Sequence, residues 1–450
     1  MNKPFDSLSM RVVLAVYTLL MALLLPVILL YIYLRSRKDP RYRKHLRERF
    51  GFYEKVVPDA IWLHAVSLGE MLAATPLLER FLADGETVVT THFTPAGRAA
   101  AQKLFADECA SGQLVPIYVP LEYDWVFRRF FKAFSPKFGL VMEIEMWPRM
   151  IASARRHDVP LFMCNGHYPA KSFERDKRQF GFRGRLATGF AGLLIKSEPD
   201  AKRFRWFGAP NVAMTGELRF DRVLPQPMLD AAADIRTENL AARPVITLAS
   251  VVVGEDAQYI DAIIRMRAHY KALGQPAPLF VYVPRAPERF SVAQKMLEQA
   301  GLQVRARSAC MDADFKLDDA ADLSRVDVLL GDSLGEMYFY LALADIVIAG
   351  GGFVSTGAHN VIEPLALKKP VFIGPYTWTI EYPAIEAIEA GVLTQCQTIE
   401  VLVKAIQKRL DDVTVLDRNR QAAEDFYQQH SGAVDRMVTA INTVLADRKP

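Results

Sequence analysis

Three consecutive glycines and the polar residues that follow them form the stretch with the clearest chemical potential. Gly350–Gly352 come after an apolar run, and Asn360, Glu363 and Pro364 follow shortly afterwards. Glycine allows a sharp turn and a close approach to a ligand, and Asn360 with Glu363 has the spacing of a capping box. Unpaired N–H groups and the positive end of a helix dipole attract an anion. The stretch therefore predicts an anion site with a carboxylate for sugar hydroxyls; an ordinary capped strand–turn–helix connection is the alternative.

Glu70 is a second candidate, at the end of the segment Ser67–Glu70. It follows an apolar run, so it should lie in a loop or in the first turn of a helix. There its carboxylate could act as a general base on a hydroxyl group, and the helix dipole would help to keep it ionised. A glutamate selected only for that dipole would look the same. His64, within the strand pattern, is more typical of a half-buried histidine than of a base.

Charged residues also follow two other apolar runs of the first half. Glu143 and Glu145 are two positions apart before a helical pattern, where they could bind or orient a substrate. Two carboxylates can hold a metal ion, but no third ligand stands nearby, so a metal site is the weaker interpretation. Arg219 could stabilise the negative charge of a leaving phosphate, or it could pair with Asp221 at the surface.

Two turns of the second half could add to the anion site. Arg285 follows an apolar run that ends in Pro284, and its guanidinium can bind a phosphate through two parallel hydrogen bonds. Gly331–Glu336 follows the next apolar run and opens another helical pattern. We therefore expect three turns of the second half to converge on one anion.

The first residues of the chain predict a membrane anchor. Val12–Leu34 carries no charge and is long enough to cross a bilayer, which takes roughly 20 residues. It is too long for the apolar core of a cleaved signal peptide. A cluster of basic residues follows: Arg35, Arg37, Lys38, Arg41, Arg43, Lys44, Arg47 and Arg49. Positive charge on this flank predicts that the rest of the chain is cytoplasmic; a helix lying in the membrane surface is the alternative.

The candidate residues need a scaffold, and strand and helix patterns alternate from residue 60 onward. The predicted strands are Ile61–Ala65, Thr87–Thr91, Leu114–Val119, Phe138–Met142, Pro160–Cys164, Leu193–Lys196, Val245–Ala249, Leu279–Val283, Val326–Leu330, Ile346–Ala349 and Val371–Ile373. The helical patterns include Met71–Leu82, Pro95–Phe105, Trp147–Arg156 and Pro199–Phe207, with a helical tail at Arg420–Leu445. This alternation is typical of parallel, doubly wound sheets, with ligands outside the carboxyl ends of the strands. It breaks near Pro225–Pro244, where we expect a hinge.

Composition narrows the class of protein. A chain of 450 residues with 51% hydrophobic content can bury two cores. The net charge of +4 is mild and does not indicate nucleic acid. A basic, phenylalanine-containing cluster between Lys171 and Arg185 suits an anionic lipid surface, or it is a solvated face. The four cysteines are far apart, which argues against disulfides and zinc and fits a reducing compartment.

Taken together, these motifs resemble the 3-deoxy-D-manno-octulosonic acid (Kdo) transferase family of lipopolysaccharide assembly. The resemblance runs nearly end to end, and the ordered series of motifs is specific where a single motif is not. The series is Gly51–Tyr53, Ser67–Glu70, Glu143–Pro148, Thr215–Asp221, Pro284–Arg285, Gly331–Glu336 and Gly357–Pro364. The resemblance implies an α/β fold of two facing Rossmann-like domains, the GT-B architecture, with an N-terminal membrane anchor helix. The expected segments are an anchor with its basic flank (1–49), an acceptor-side domain (50–225), a donor nucleotide domain (226–419) and a C-terminal helix that packs back on the first domain (420–450).

The resemblance also implies an activity and a site. The family moves Kdo from CMP-Kdo to a lipid A precursor, lipid IVA, with inversion, without a metal and without a cofactor, at the cytoplasmic face of the inner membrane. By this comparison Glu70 is the base, and Glu143 and Arg219 help to stabilise the transition state. The residues implied to bind CMP are Pro284, Arg285, Leu334, Gly335, Glu336, Asn360, Val361, Ile362 and Glu363.

Some positions depart from the family pattern. Val252 lies in the segment before Gly254-Glu255 where the family usually has Ser-Thr-His, Ala286 replaces a histidine, and His167 replaces an arginine. Arg219 stands where lysine is common and keeps the charge. The departures leave open a paralogue that transfers another sugar or uses another lipid acceptor. A catalytically silent membrane scaffold is the third interpretation, although Glu70, Arg285, Asn360 and Glu363 argue against it.

Overall fold

The chain forms two compact units, described here from a computed structural model that covers residues 4–240, 243–318 and 321–448. Unit 1 is Met1–Arg222 with Ser431–Pro450, and unit 2 is Val223–His430. Parts of the expected segments lie outside the described residues, namely 1–3 in the anchor, 241–242 in the hinge, 319–320 in the second domain and 449–450 at the end. Each unit is built around its own parallel sheet.

The sheet of unit 1 has seven parallel strands in the order β3-β2-β1-β4-β5-β6-β7. They are β1 (Ile61–His64), β2 (Val88–His92), β3 (Leu114–Tyr118), β4 (Phe138–Met142), β5 (Leu161–Gly166), β6 (Gly192–Ile195) and β7 (Val212–Met214). Every residue of β1, β2 and β4 is buried, as expected for central strands covered by helices on both faces. The chain leaves β1 in one direction and returns to β4 on its other side, which creates a topological switch point between them.

Helices cover this sheet, and polar caps fix where several of them begin. Up to Arg222 they are α1 (Leu8–Lys38), α2 (Leu68–Ala83), α3 (Pro95–Leu104), α4 (Ala106–Ser111), α5 (Asp124–Phe134), α6 (Pro148–Arg156), α7 (Ala170–Arg178), α8 (Phe182–Ala187) and α9 (Glu198–Trp206). Thr94 and Ser197 cap α3 and α9 through their hydroxyl groups, and a proline near the start of each helix needs no N–H partner.

The sheet of unit 2 also has seven parallel strands, in the order β10-β11-β9-β8-β12-β13-β14. They are β8 (Val245–Val251), β9 (Leu279–Pro284), β10 (Val304–Ala306), β11 (Val328–Leu330), β12 (Ile346–Ala349), β13 (Val371–Ile373) and β14 (Leu393–Gln395). Its switch point lies between β8 and β12. The predicted α/β class and parallel sheets are therefore confirmed, while three short strands, β7, β10 and β14, were not predicted.

Nine further helices follow in unit 2, and one returns to unit 1. In unit 2 they are α10 (Gln226–Ile235), α11 (Asp256–Ala272), α12 (Phe290–Gln299), α13 (Arg307–Cys310), α14 (Met337–Leu343), α15 (Ile362–Ala366), α16 (Glu381–Glu389), α17 (Ile399–Leu410) and α18 (Val413–His430), counted over the described residues. The last helix, α19 (Ala433–Ala446), buries Ala433, Met437 and Ile441 in the core of unit 1. The helical tail expected as one pattern is thus divided at Gly432, whose φ is 81°.

α1 is the described helix that is long and apolar enough to cross a membrane, with a mean hydropathy of 2.8. One side of α1 packs against the rest of unit 1. Met10 and Leu14 are buried, and the guanidinium Nη2 of Arg149 donates to the carbonyl of Leu14 at 3.0 Å. The hydroxyl of Tyr123 donates to the carbonyl of Met21 at 2.6 Å. The helix therefore has a side bonded to the protein and an apolar side open to its surroundings.

Candidate active site

The carboxylate of Glu70 lies in the connection from β1 to α2, at the switch point of unit 1. Ser67 caps α2, and its Oγ accepts from the N–H of Glu70 at 3.4 Å. The carboxylate accepts from the N–H of Val66 at 2.7 Å and from the hydroxyl of Ser67 at 3.0 Å. This arrangement is a variant of the capping box in which the carboxylate accepts from the N–H before the N-cap residue. Glu70 therefore has the structural role that its position suggested, but it remains half-buried rather than closed off.

The environment of Glu70 changes its acidity. Burial, helped by the negative charges of Glu145 and Glu143, raises its pKa to about 7 against the lowering effects of the Val66 N–H and the Ser67 hydroxyl. A base is most effective when its pKa lies near the operating pH. Glu70 can therefore exchange a proton near neutrality, which a glutamate present only for the helix dipole would not need to do.

A cluster of charged side chains lies at the carboxyl ends of β4, β5 and β6, beside this turn. Glu143 accepts from Arg219 at 3.3 Å, and its carboxylate is 3.7 Å from the Nζ of Lys196. The Nζ of Lys196 is also 2.8 Å from Glu217, which accepts from the side chain of Asn165 at 2.7 Å. Arg219 also lies 3.3 Å from Glu217. Lys196 and Arg219 therefore each contact the carboxylates of both Glu143 and Glu217. The cluster is a closed charge network that fixes the guanidinium of Arg219 in place.

The two carboxylates of this network are held in their ionised form. Burial opposes ionisation of Glu217, but the charges of Lys196 and Arg219 outweigh it and lower its pKa to about 2. Burial likewise opposes ionisation of Glu143, and Lys196 and Arg219 lower its pKa overall. Glu143 also has a φ of 56°, an uncommon conformation for a residue with a Cβ. Asp221 has another role, since it accepts from the N–H of Val434 at the start of α19.

Several members of the site were not recognised from the sequence. Lys196 contacts Glu143, and Glu217 contacts both Lys196 and Arg219. The side chain of Asn165 donates a hydrogen bond to Glu217. The signal available in the sequence was that Lys196 and Glu143 each follow an apolar run, so both lie at the carboxyl ends of strands of one parallel sheet, with β5 between them. His167 lies close enough to be affected by the network: burial and then the charge of Lys196 lower its pKa.

His64 belongs to the core under this site. Its ring is fully buried, and Nδ1 is 2.9 Å from the hydroxyl of Thr91. Burial, followed by the neighbouring His92, lowers its pKa to about 3. The ring packs edge-on against Trp147 with centroids 5.2 Å apart. His64 is therefore a neutral packing residue and sits deeper than the half-buried position expected.

In unit 2, the glycine loop is occupied by a carboxylate of the protein itself. Glu255 is 0% exposed and accepts from the N–H groups of Gly351 at 2.7 Å and Phe353 at 3.1 Å. It also accepts from the N–H of Val252 at 3.2 Å and the hydroxyl of Tyr259 at 3.1 Å. The expectation that the loop offers these N–H groups to a ligand is therefore wrong. The sequence concealed this contact because Glu255 is 96 residues away from Gly351.

The helix after the glycine loop begins later than expected. α15 starts at Ile362 with Val361 in the N-cap position and without a side-chain cap. Asn360, the residue before Val361, provides the hydrogen bond instead: its Oδ1 accepts from the N–H of Ile362 at 2.9 Å. Glu363 and Pro364 lie in the first turn. The predicted capping box is therefore displaced, although Asn360 still satisfies a donor at the helix start.

Arg285 directly follows β9, and it is hydrogen-bonded to β8 and to the loop that follows β12. Its N–H donates to the carbonyl of Val251, and its Nη1 is 2.8 Å from the Nε2 of His359. Burial and the charge of Arg285 lower the pKa of His359 to about 4, so the imidazole is neutral and accepts this hydrogen bond. The N–H of His359 donates to Gly350. The exposed guanidinium of Arg285 is thus oriented at the carboxyl edge of the sheet.

The turn after β11 contains the third predicted contributor. Leu334 is exposed, and Gly335 has a φ of 85°. The carboxylate of Glu336 is 2.8 Å from the Nε of buried Arg307 and also contacts Ser333. β11, β9, β8 and β12 are neighbours in the sheet, so the turns with Glu336, Arg285 and Asn360 lie along one edge. Their convergence on one anion stays a prediction.

Comparison with known proteins shows which protein family this chain is similar to. Residues 44–222 match the sequence model of a family described as 3-deoxy-D-manno-octulosonic-acid transferase (kdotransferase). A 3-deoxy-D-manno-octulosonic acid transferase of Bordetella pertussis is 36% identical over 435 residues, covering 95% of this chain and 98% of the relative. One of Haemophilus influenzae is 30% identical over 440 residues, covering 95% and 98%. The crystal structure of a glycosyltransferase from Rickettsia africae matches with a TM-score of 0.57 at 11% identity, over 87% of this chain and 99% of that one, which supports the fold alone.

Proposed function

This chain belongs to the Kdo transferase family, glycosyltransferases of lipopolysaccharide core biosynthesis, and from that premise we propose that it transfers Kdo from CMP-Kdo to the tetraacylated lipid A precursor lipid IVA. The observation that carries the proposal is Glu70, a half-buried carboxylate at the switch point of unit 1 with a pKa of about 7. A group of this kind suits removal of a proton from an acceptor hydroxyl at neutral pH.

The proposed reaction is a single in-line displacement. Glu70 takes the proton of the acceptor hydroxyl as its oxygen forms a bond to the anomeric carbon of Kdo. The bond from that carbon to the phosphate oxygen breaks, and CMP leaves with the electron pair. One displacement inverts the anomeric configuration, and it requires one base and stabilisation of the leaving phosphate, without a metal. Arg219, held by Glu143 and Glu217, is the cation proposed to stabilise negative charge in the transition state.

CMP is proposed to bind at the carboxyl edge of unit 2. Arg285 is the principal phosphate ligand, because its guanidinium is exposed and oriented by His359. Glu363, with Asn360, Val361 and Ile362, is proposed to bind the ribose side of the nucleotide. Pro284 and the segment Leu334–Glu336 would complete the site.

The acceptor is a phosphorylated lipid, and the proposed location is the cytoplasmic face of the inner membrane. α1 provides the apolar anchor, and the basic residues from Arg35 onward suit anionic headgroups. Arg185, in the basic cluster of α7 and α8, donates to the hydroxyl of Ser9 at 3.3 Å, so this cluster lies beside α1. Apolar residues are exposed along most of α1, which suits a helix inserted in the bilayer, and a helix that lies in the membrane surface is the alternative.

A second candidate is transfer of another sugar by the same machinery. Val252, Ala286 and His167 favour it, because each replaces a polar or charged residue usual in the family. None of the three replaces Glu70 or Arg285. The alternative therefore changes the identity of the donor sugar and leaves the reaction type unchanged.

Mass spectrometry of the lipid product tests the proposal. The purified full-length protein, in vesicles with lipid IVA, should add the mass of Kdo from CMP-Kdo with and without a metal chelator. Other CMP-sugars should add nothing, and the glycosidic linkage should have the inverted configuration. Calorimetry should show CMP binding that Arg285→Ala weakens by about 1.5–3 kcal/mol, the contribution of a charged hydrogen bond. Transfer of a different sugar, a requirement for metal, or binding of UDP without CMP would contradict the donor assignment.

A further inference from the structure

An apolar cavity of about 500 Å³ lies between α1 and the turns that follow β2, β3 and β4 in unit 1. Met21, Leu24 and Ile28 contribute from α1, and Phe93, Leu121 and Trp147 contribute from the three turns. The volume is within the range of small-molecule sites in proteins, about 300–1,000 Å³. The proposed reaction gives this cavity no role.

The wall of the cavity offers very little to a polar ligand. Glu122 is the carboxylate among the described residues that line it, and this side chain is buried. Its carboxylate already accepts from the N–H groups of Arg149 and Met150 at 2.9 Å each and from the hydroxyl of Tyr17 at 3.1 Å. A buried polar group that has its hydrogen bonds does not need a ligand to satisfy it. The surface left for an occupant is therefore hydrocarbon and aromatic.

The cavity opens toward the apolar side of α1. Leu24 and Val27 line it and are 45% and 57% exposed. At the end of the helix, the Nε of Arg35 donates to the hydroxyl of Tyr31, which also lines the cavity, at 3.1 Å. A molecule that entered here would place its apolar part among the aromatic rings and an anionic group beside Arg35. This combination of chemistry is that of a phosphorylated, acylated lipid.

The inner wall of the cavity is connected to the turn that carries Glu70. The N–H of Phe93 donates to the carbonyl of Val66, whose own N–H donates to Glu70. The indole N–H of Trp147 donates to Glu145 at 2.6 Å, and Glu145 is one of the charges that act on Glu70. The residues that an occupant would touch are therefore hydrogen-bonded to the candidate catalytic turn.

We propose that this cavity binds one acyl chain of the lipid acceptor and so positions the acceptor hydroxyl at Glu70. The inference rests on the proposed function, since it assumes an acylated acceptor. The chain of a membrane-bound acceptor passes from one apolar environment to another, so the cavity fixes the position of the chain rather than removing it from water. α1 is then a wall of the acceptor site as well as a membrane contact, which explains why it is bonded to unit 1 by Arg149 and Tyr123.

Photo-crosslinking tests the occupant without requiring turnover. The full-length protein, in phosphatidylethanolamine–phosphatidylglycerol vesicles, is irradiated with lipid IVA that carries a diazirine at the end of one acyl chain. Labelled peptides should include α1 around Met21–Ile28 or the turns at Phe93, Leu121 and Trp147. A phosphatidylglycerol with the same diazirine is the second arm and should label these peptides weakly. Equal labelling by phosphatidylglycerol, or labelling of lipid IVA only elsewhere, would overturn the proposal.

A matched pair of tryptophan substitutions on α1 tests the catalytic consequence. Ile28→Trp fills the cavity, whereas Leu23→Trp adds the same ring on the outer side, where Leu23 is 67% exposed. Because the indole occupies space that the chain needs, Ile28→Trp should raise KM for lipid IVA severalfold. KM for a deacylated acceptor should not change, and Leu23→Trp should change neither value. An unchanged KM for lipid IVA in a folded Ile28→Trp protein would contradict the acyl-chain site.

These measurements separate failure of this inference from failure of the proposed function. If the parent protein transfers no Kdo to either acceptor, the proposed function fails, and the crosslinks still report whether the cavity takes an acyl chain. If it transfers Kdo but Ile28→Trp affects both acceptors equally, the function stands and the cavity assignment is wrong.

Discussion

Glu70 and Glu255 occupy corresponding turns in the two units and have different environments. Each follows a glycine in the connection after the first strand of its unit, β1 or β8, beside the switch point of the sheet. Glu70 accepts from two donors of its own turn and stays half-buried. Glu255 is fully buried and accepts from four donors, two of them in the glycine loop after β12.

The number and origin of the donors decide what each carboxylate can do. Burial raises the pKa of both. Glu70 is half-buried and each of its carboxylate oxygens accepts from one donor, so a lone pair is left to receive a proton from a bound molecule. All the neighbours of Glu255 are fixed donors, and the carboxylate fastens the glycine loop to the turn after β8. The same residue type in the same topological place is suited to chemistry in one unit and to architecture in the other.

Replacing Glu70 with glutamine should give the largest effect. Glutamine keeps the size and can still hydrogen-bond, but it cannot accept the proton of the acceptor. Turnover should therefore fall by roughly 10²–10⁴-fold. CMP affinity should hold because the proposed nucleotide ligands belong to unit 2, and stability should change by about 1 kcal/mol at most. Steady-state kinetics, CMP calorimetry and thermal unfolding measure the three quantities.

The pH profile adds a check on the same residue. A base with a pKa of about 7 must lose its proton before it can act, so the parent turnover should rise with pH through about 7. Glu70→Gln should abolish this rise of turnover with pH. Glu79→Gln, on the exposed side of the same helix, is the control and should retain the rise. Turnover of Glu70→Gln within a few-fold of the parent would move the base elsewhere, with Glu143 the next candidate.

Replacing Glu255 with glutamine should affect local stability rather than chemistry. The amide nitrogen would face N–H donors, which leaves part of the glycine loop unsatisfied at a cost of about 1–3 kcal/mol. Hydrogen exchange at Gly351 and Phe353 should accelerate by roughly 5–150-fold. Glu298→Gln, on the surface of unit 2, is the control. Unchanged protection of these two amides would mean that Glu255 does not hold the loop.

Ser67 lies three residues before Glu70, and Val252 lies three residues before Glu255. Replacing Ser67 with valine therefore makes the two turns alike at this position, and this substitution should have the smallest effect. The helix cap and one donor to Glu70 are lost, which costs about 1 kcal/mol. Because that hydrogen bond lowers the pKa of Glu70, the limb of the pH–rate profile should move to higher pH. Ser67→Thr keeps the hydroxyl and should leave the profile in place. A shift to lower pH would contradict the role assigned to Ser67.

The sequence predicted the parts of this molecule that depend on local pattern. The eleven predicted strands all overlap observed ones, and Glu70, expected in a loop or in the first turn of a helix, lies in the first turn of α2. β7, β10 and β14 were missed because each has three residues and lies at or near a sheet edge, where a short apolar run is no signal. Resemblance to a family suggested roles for Glu143 and Arg219, which spacing left open, and these roles stay predictions.

What the sequence could not predict is set by contacts between distant segments. Lys196 and Glu217 join Glu143 only because β6 and β4 bring their ends to one edge of the sheet. Glu255 reaches the glycine loop because β8 and β12 are neighbours. The cavity beside α1 exists because Arg149 and Tyr123 bond to the backbone of a helix whose composition indicates only a membrane segment.

The return of α19 to unit 1 has a consequence for how the protein is made. Ala433, Met437 and Ile441 complete the core beside α2, yet the ribosome reaches them only after all of Val223–His430. At about 5–20 residues per second, this takes on the order of ten to forty seconds. During that interval the nascent first unit has an open apolar face, and at its end the second unit has its whole chain while α19 is still to be made. We expect the unit that is synthesised second to finish folding first, and the candidate catalytic turn of Glu70 to become stable only when translation is nearly complete.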